Sequence, residues 1–157
     1  MTDMSLLKTE QSQSLRVAGL LEIEEIRQLR VMYSHHLDNG EIERMNEIFA
    51  PDGTLSVTVG SMKGLEEIKA GLLEGFRQFD RDGRGRYPFF HPVMNHDIRL
   101  TGPDTAEGKC YLIDFETASK PDPNPLLLLG LYRDIYRKVN GSWRIATSIL
   151  DVVWPHG

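Results

Sequence analysis

The stretch LLLGLYRDIYRKVNGSWRIATSILDVV, Leu127–Val153, decides the fold. Two runs of alternating, β-branched and aromatic residues flank Asn140-Gly141, the strongest short hairpin signal a sequence offers. A two-residue loop there pairs Tyr136 with Ile145, Asp134 with Thr147 and Tyr132 with Ile149. The reverse face then carries Leu129, Leu131, Ile135, Ala146, Leu150 and Val152. Both faces are thus partly apolar, which a sheet with one side in water does not need. One face is expected to pack on helices or line a pocket, and the other to meet another subunit in a homodimer or homotrimer.

Working outward, two more strands are predicted upstream at about His91–Thr101 and Lys109–Ala118, separated by Gly102-Pro103-Asp104 and followed by the Pro-rich Lys120–Pro125 segment. Before them the period changes. Ile23, Ile26, Leu29, Tyr33 and Leu37 recur every three or four residues from Leu20, and Asn39-Gly40 supplies the stop, so this is a helix. A short helix over Glu41–Phe49 ends at Pro51 and Asp52-Gly53, and a strand follows at Thr54–Val59. Leu65, Ile68, Leu72, Leu73, Phe76 and Phe79 trace a third helix despite Gly71 and Gly75. Asp80–Pro88 reads as an exposed loop. Helices first and long antiparallel strands last make an α+β domain with the helices on one face of a curved sheet. Residues 1–17 are polar and without period, a frayed arm, leaving 18–157 as one domain.

A chain of 157 residues argues for one core and excludes an eight-strand enzyme barrel. With 40% hydrophobic and 26% charged residues the composition is that of an ordinary globular protein. The net charge of −5 and a sequence pI near 5.5 give no general attraction to nucleic acid or an anionic bilayer. No apolar run approaches the ~20 residues of a membrane helix, and the N-terminus has neither a basic region nor an apolar one. The lone cysteine, Cys110, cannot form an intrachain disulfide or a thiolate metal cage. A cytoplasmic protein without membrane or nucleic-acid partners is expected.

No HExxH, CxxC, glycine-rich phosphate loop or Gly-x-Ser-x-Gly elbow is present, so neither a metal nor a cofactor is expected. Arg77, Arg81, Arg84 and Arg86 are interleaved with Asp80 and Asp82, the mark of a solvated loop, although their place before His91 suits a lid. That leaves acid/base chemistry, for which histidine is the side chain poised nearest neutrality. His35 and His36 are neighbours on a helix, and His156 lies in the tail. On a regular strand the odd separation of His91 and His96 puts them on opposite faces, Val93 and Asn95 with His91, Met94 and Ile98 with His96. Only one of the two then looks into a shared cavity, and periodicity does not choose between them.

Tyr33 continues the apolar stripe of its helix, so it faces the core or a cavity and its hydroxyl needs a partner. Asp38 sits in the last turn, where a negative charge meets the unfavourable end of the helix dipole. Five residues part it from Tyr33, about 140° around an ideal helix, so sharing one cavity calls for the helix to loosen near Gly40. Asp114 alternates with Cys110, Leu112 and Glu116, and either face of that strand could line a cavity.

The order of elements, with Leu29-Arg30-x-x-Tyr33-x-x-x-Leu37-Asp38-x-Gly40, Phe49-Ala50-Pro51-Asp52-Gly53, Gly64, His91 and Gly130-x-Tyr132-x-Asp134-x-Tyr136 leading to Gly141-x-Trp143-Arg144-Ile145, resembles the SnoaL-like branch of the nuclear-transport-factor-2-like superfamily. The resemblance covers about Leu20 to Trp154 and implies a cone-shaped α+β roll. Its nearest pattern is that of scytalone dehydratase and bile-acid 7α-dehydratase. It implies a catalytic Asp38, a catalytic His91 and, from the bile-acid enzyme, a catalytic Tyr33 and a carboxylate at Asp114. This chain lacks the second histidine that scytalone dehydratase places near Phe115–Glu116, and Val152 stands where the bile-acid enzyme has an arginine.

The resemblance selects His91 over His96 and gives Asp38 a partner, though Asp38 could equally belong to the Asp-Asn-Gly turn that stops the helix. The resulting expectation is a cofactor-independent dehydratase acting on a small hydrophobic, cyclic, hydroxylated molecule, with Asp114, Tyr132 and Asn95 touching the substrate. The alternatives are an isomerase or polyketide-type cyclase using the same His-Asp pair, and a non-catalytic module binding a hydrophobic ligand.

Overall fold

The computed structural model describes residues 4–80, 83, 88–116 and 126–155. Helix α1 spans Met4–Asp38. Residues 4–17, expected to be a frayed arm, continue it, because no proline precedes Gly40 and Gly19 alone does not stop the helix. Its first half is exposed, with Leu7, Leu15, Val17, Leu20 and Leu21 on the surface. From Ile26 on the helix buries one stripe, Ile26, Leu29, Arg30, Tyr33 and Leu37. A 3-10 turn over Ile42–Glu47 replaces the short α-helix expected there and buries Ile42 and Met45.

Strand β1 (Phe49–Val57) starts earlier than its alternation suggests, because it runs through Pro51-Asp52-Gly53 with a register shift between Phe49 and Thr54. β2 (Gly60–Lys63), too short to show alternation, folds back on it as a hairpin. Helix α2 (Leu65–Phe79) lies where predicted, opened by Gly64 at φ 84°. Its Gly71 has a packing reason: a Cβ there would collide with the Met62 side chain from β2.

β3 (Phe89–Phe90) and β4 (Val93–Leu100) are two pieces of one edge, both antiparallel to β5 (Thr105–Glu116). His91-Pro92 forms the break between them. β6 (Leu126–Val139) and β7 (Ser142–Trp154) complete a seven-stranded sheet of order β2-β1-β7-β6-β5-β3, with β4 also on β5 and with β1 parallel to β7. The two α-helices pack on a strongly curled mixed sheet, and the core fills the concave side.

Asn140 and Gly141 make the hairpin turn at φ 51° and 78°. Tyr136 pairs with Ile145 as expected, but a register shift between Ile135 and Tyr136 puts Asp134 opposite Ser148 and Tyr132 opposite Leu150. A β-bulge at Ala146 moves Ser148 and Leu150 onto the concave side, and Leu150 therefore leaves the outer face assigned to it. That outer face exposes Tyr111, Leu129 and Ile135 among the ion pairs Arg99–Glu107 and Arg133–Asp151. Of the arginine cluster, Arg81, Arg84 and Arg86 lie outside the described residues, as does His156.

Candidate active site

Three elements converge on the site: the C-terminus of α1, the break between β3 and β4, and the β5–β6 ladder from Cys110–Tyr132 to Asp114–Leu128. Asp38 is the last residue of α1, and the helix stays α-helical up to it. Gly40, at φ 72°, then closes the end, with its N–H on the Leu37 carbonyl.

His91 stands directly opposite. Its ring Nδ1 lies 2.5 Å from Asp38 Oδ1, and its backbone N–H donates to Asp38 Oδ2 at 3.2 Å. A carboxylate only accepts, so Nδ1 carries the proton and Nε2 of the neutral ring holds the lone pair. Its place in the strand break lets the His91 backbone N–H meet Asp38. These two bonds supply the compensation that a carboxylate at a helix C-terminus requires. Asp38 does not share the pocket with Tyr33: it holds the outward nitrogen of the ring while Nε2 faces inward. The helix therefore has no need to loosen near Gly40.

On the inner side, Nε2 lies 3.7 Å from Asp114 Oδ2, an ion-pair distance too long for a hydrogen bond. Asp114 is buried on the concave face, and its Oδ1 has no hydrogen-bond partner among the described residues. Burial pushes its carboxyl up to about 6, opposed by His91 and reinforced by Asp38 and Glu116. Next to it Tyr33 and Tyr132 meet edge to face, ring centroids 6.2 Å apart, near enough for each hydroxyl to influence the other's charge. Burial pushes Tyr33 up to about 12 and Tyr132 well above its ordinary value.

These groups line one pocket, whose walls include Leu37, Val57, Val59, Leu72, Phe79, Phe89, Leu112 and Leu150. It encloses about 50 Å³, enough for a few small molecules of solvent and too small for a cyclic compound. A cyclic molecule enters only when the lining moves, and the tip of the β1–β2 hairpin, Val57–Val59, is its most exposed part. Two wider grooves, of about 440 and 400 Å³, lie on the outer face of the sheet and between the 3-10 turn and α2, away from this cluster.

The pocket brings together His91, Tyr33, Asp114 and Tyr132, with Asp38 behind His91. Asn95 is not among them. It is exposed, at φ 52°, in a bulge where the register steps from Met94–Tyr111 to Asp97–Lys109. Three residues of β4 there match two of β5, which inverts the parity of everything after Asn95. His96 consequently turns to the concave side with Ile98 and Leu100, and the expectation that only one of His91 and His96 faces inward fails for that reason.

His96 nonetheless serves a different cluster. Arg30 and Asp134 are both fully buried and paired, through Arg30 Nε at 2.7 Å and through Nη2, which also meets Ser148 Oγ. The Tyr136 hydroxyl donates to Asp134 at 2.7 Å, so its oxygen accepts from His96 Nε2 at 3.0 Å. Burial pushes His96 down to about 4, with Asp134 opposing. Its Nε2 is thus a donor in a buried chain of bonds and is not an open base.

The ligand atoms of His96, Cys110 and Asp134 also lie within 4.8 Å of one another. They suit a metal poorly: Asp134 is occupied by Arg30 and Tyr136, and burial pushes the Cys110 thiol up to about 11. Arg30 was legible as the one charge on the apolar stripe of α1, a position where a buried partner should have been sought.

A profile of the SnoaL-like domain matches residues 18–148, and the chain belongs to that family. The family includes polyketide cyclases and dehydratases. No protein with a curated description matches the sequence. Among solved structures, an NTF2-like protein with a cystatin-like fold from Novosphingobium aromaticivorans superposes with a TM-score of 0.77 at 23% identity, covering 99% of this chain and 94% of that one. The "Putative Scytalone Dehydratase" of the same organism gives 0.71 at 25% identity, with 86% of each chain covered. A cystatin-like-fold protein of unknown function from Nostoc punctiforme gives 0.71 at 25%, covering 84% and 91%. Among the described residues no helix is long and apolar enough to cross a membrane.

Proposed function

We propose that the chain is a cofactor-independent dehydratase that removes water from a small, hydrophobic, cyclic hydroxy-carbonyl compound. The observation that carries this reading is the 2.5 Å contact between Asp38 and His91 Nδ1, with Nε2 left facing an apolar pocket beside Asp114. The likeness to the "Putative Scytalone Dehydratase" supports the reaction class. His91 Nε2 takes the proton next to the carbonyl, and Asp38 fixes the ring and balances the imidazolium. The Tyr33–Tyr132 pair donates to the oxygen on which negative charge develops. Asp114, able to hold a proton near neutrality, delivers it to the departing hydroxyl as the C–O bond breaks. Proton return from His91 to Asp114 across the 3.7 Å gap resets the site once water has left.

The test is turnover on a panel of cyclic β-hydroxy ketones, with product mass as the readout. Loss of one water supports dehydration, whereas unchanged mass with altered retention identifies an isomerase or cyclase. His91→Ala and Asp38→Asn should each lower kcat by on the order of 10²-fold or more. The double variant should be little worse than the worse single one, since both residues serve one step. Wild-type turnover by a folded His91→Ala protein overturns the assignment.

A further inference from the structure

We propose that Arg30 is a positioning residue of this site: its buried guanidinium, stacked under the Tyr132 ring and beside Tyr33, sets how strongly that tyrosine pair donates hydrogen bonds into the pocket. The inference rests on the reading of the pair as partner of a developing oxyanion.

Arg30 shares the buried stripe of α1 with Tyr33 but does not line the pocket, and its bonds to Asp134 and Ser148 resemble an ordinary buried ion pair. Such a pair gains little over well-packed apolar side chains, because both charges must be desolvated. Arg30 is moreover incompletely satisfied, since Nη1 has no hydrogen-bond partner among the described residues. What it does contact is aromatic. Its Cζ lies 3.8 Å from the Tyr132 ring centroid and 5.0 Å from that of Tyr33, both within the ~6 Å reach of a cation on a π-face.

The pair is also oriented. At the Tyr33 hydroxyl, the guanidinium's stabilisation of the anionic form exceeds the opposing effect of Asp134. Burial alone makes both phenols reluctant to share their protons. A fixed cation on the far face of the rings counters this. When a tyrosine hydroxyl donates to an oxygen gaining negative charge, electron density moves back into its ring, and a cation already in place stabilises it with no reorganisation.

The test places difluorotyrosine at position 132 of the full chain, so that the phenol titrates where the fold survives, and follows its absorbance with pH. Replacing the pair together, Arg30→Met with Asp134→Leu, avoids leaving a lone buried charge. We expect the apparent phenol pKa to rise by on the order of 1 in that variant. Ser148→Ala, which removes a neutral contact of Arg30 and keeps the cation, should leave it near the parent value. An unmoved titration in a folded double variant overturns the proposal. Should the double variant fail to fold, Arg30→Lys, which keeps the charge without the planar stack, must raise the pKa by a smaller step, and no change there overturns it equally. The titration needs no substrate. Absent turnover on every panel member would therefore sink the dehydratase reading with this result standing, and an unmoved titration would sink the role of Arg30 with turnover intact.

Discussion

At the scale of single residues, Asp114 is the group whose charge the fold resists. A carboxyl free in the unfolded chain titrates near ~3.9, whereas in the pocket it is pushed up to about 6. Below both values it is neutral in either state. Between them the folded protein holds a proton that the unfolded chain has released, so folding stability falls as pH rises through this window, by about 3 kcal/mol in all. Asp114→Asn stays neutral throughout. Its stability relative to wild type should therefore climb from pH 4 to pH 7 in urea denaturation, and a difference independent of pH would contradict the burial argument. Tyr33→Phe removes one donor and no base, so it should lower kcat by on the order of 10- to 10³-fold, less than His91→Ala on the same substrate. That Tyr33 is buried and that Asp38 needs a compensating partner were legible from residue type and helix position, whereas His91 as that partner came only from the resemblance. That Tyr33 and Asp38 stand on different sides of the His91 ring was not, because helical periodicity says nothing about a partner that arrives from a strand break.

At the scale of elements, the bulge at Asn95 decides more than any strand boundary. Reading β4 as a regular strand placed Asn95 beside the base and turned His96 outward, and one extra residue reversed both. Asparagine tolerates the left-handed backbone that the bulge requires at φ 52°, and β-branched residues do not. Asn95→Val should cost about 1–3 kcal/mol by chemical denaturation, while Asn95→Gly should be close to neutral. Equal stabilities for the two would show that the bulge is not strained. The third helix and the long hairpin were readable because period and turn chemistry agree over many residues. The short pieces, β2 and the 3-10 turn, carry too few residues to show a period. The bulge in β7 left no turn residue to betray it.

At the scale of the whole molecule, the concave side of the sheet is occupied by helices and core, and its outer side is left with Tyr111, Leu129 and Ile135 in the open. The alternation of both strands with apolar residues on two faces was readable from sequence, and it anticipated this division. We propose that a second copy covers the outer face, whose ion pairs mix both signs and leave no net charge to keep copies apart. Light scattering at micromolar concentration should give at least twice the subunit mass, and Ile135→Glu should return it towards one subunit. A single-subunit mass for the wild-type chain would refute this. Activity, once a substrate is known, should survive exhaustive chelation, because Arg30 and Tyr136 already occupy the carboxylate of the His96–Cys110–Asp134 cluster found among the described residues.

The break at His91-Pro92 bears on how these molecules avoid sticking to one another by their sheet edges. A row of free N–H and C=O groups along an outermost strand invites a foreign strand to zip on. Here two consecutive positions offer such a strand no N–H: that of His91 is committed to Asp38, and Pro92 has none. The Pro92 carbonyl is already taken by the Ile113 N–H. A few residues on, the bulge at Asn95 twists the edge out of register again. The interruption that hands His91 to its carboxylate thus also breaks the continuous row of donors along the sheet margin.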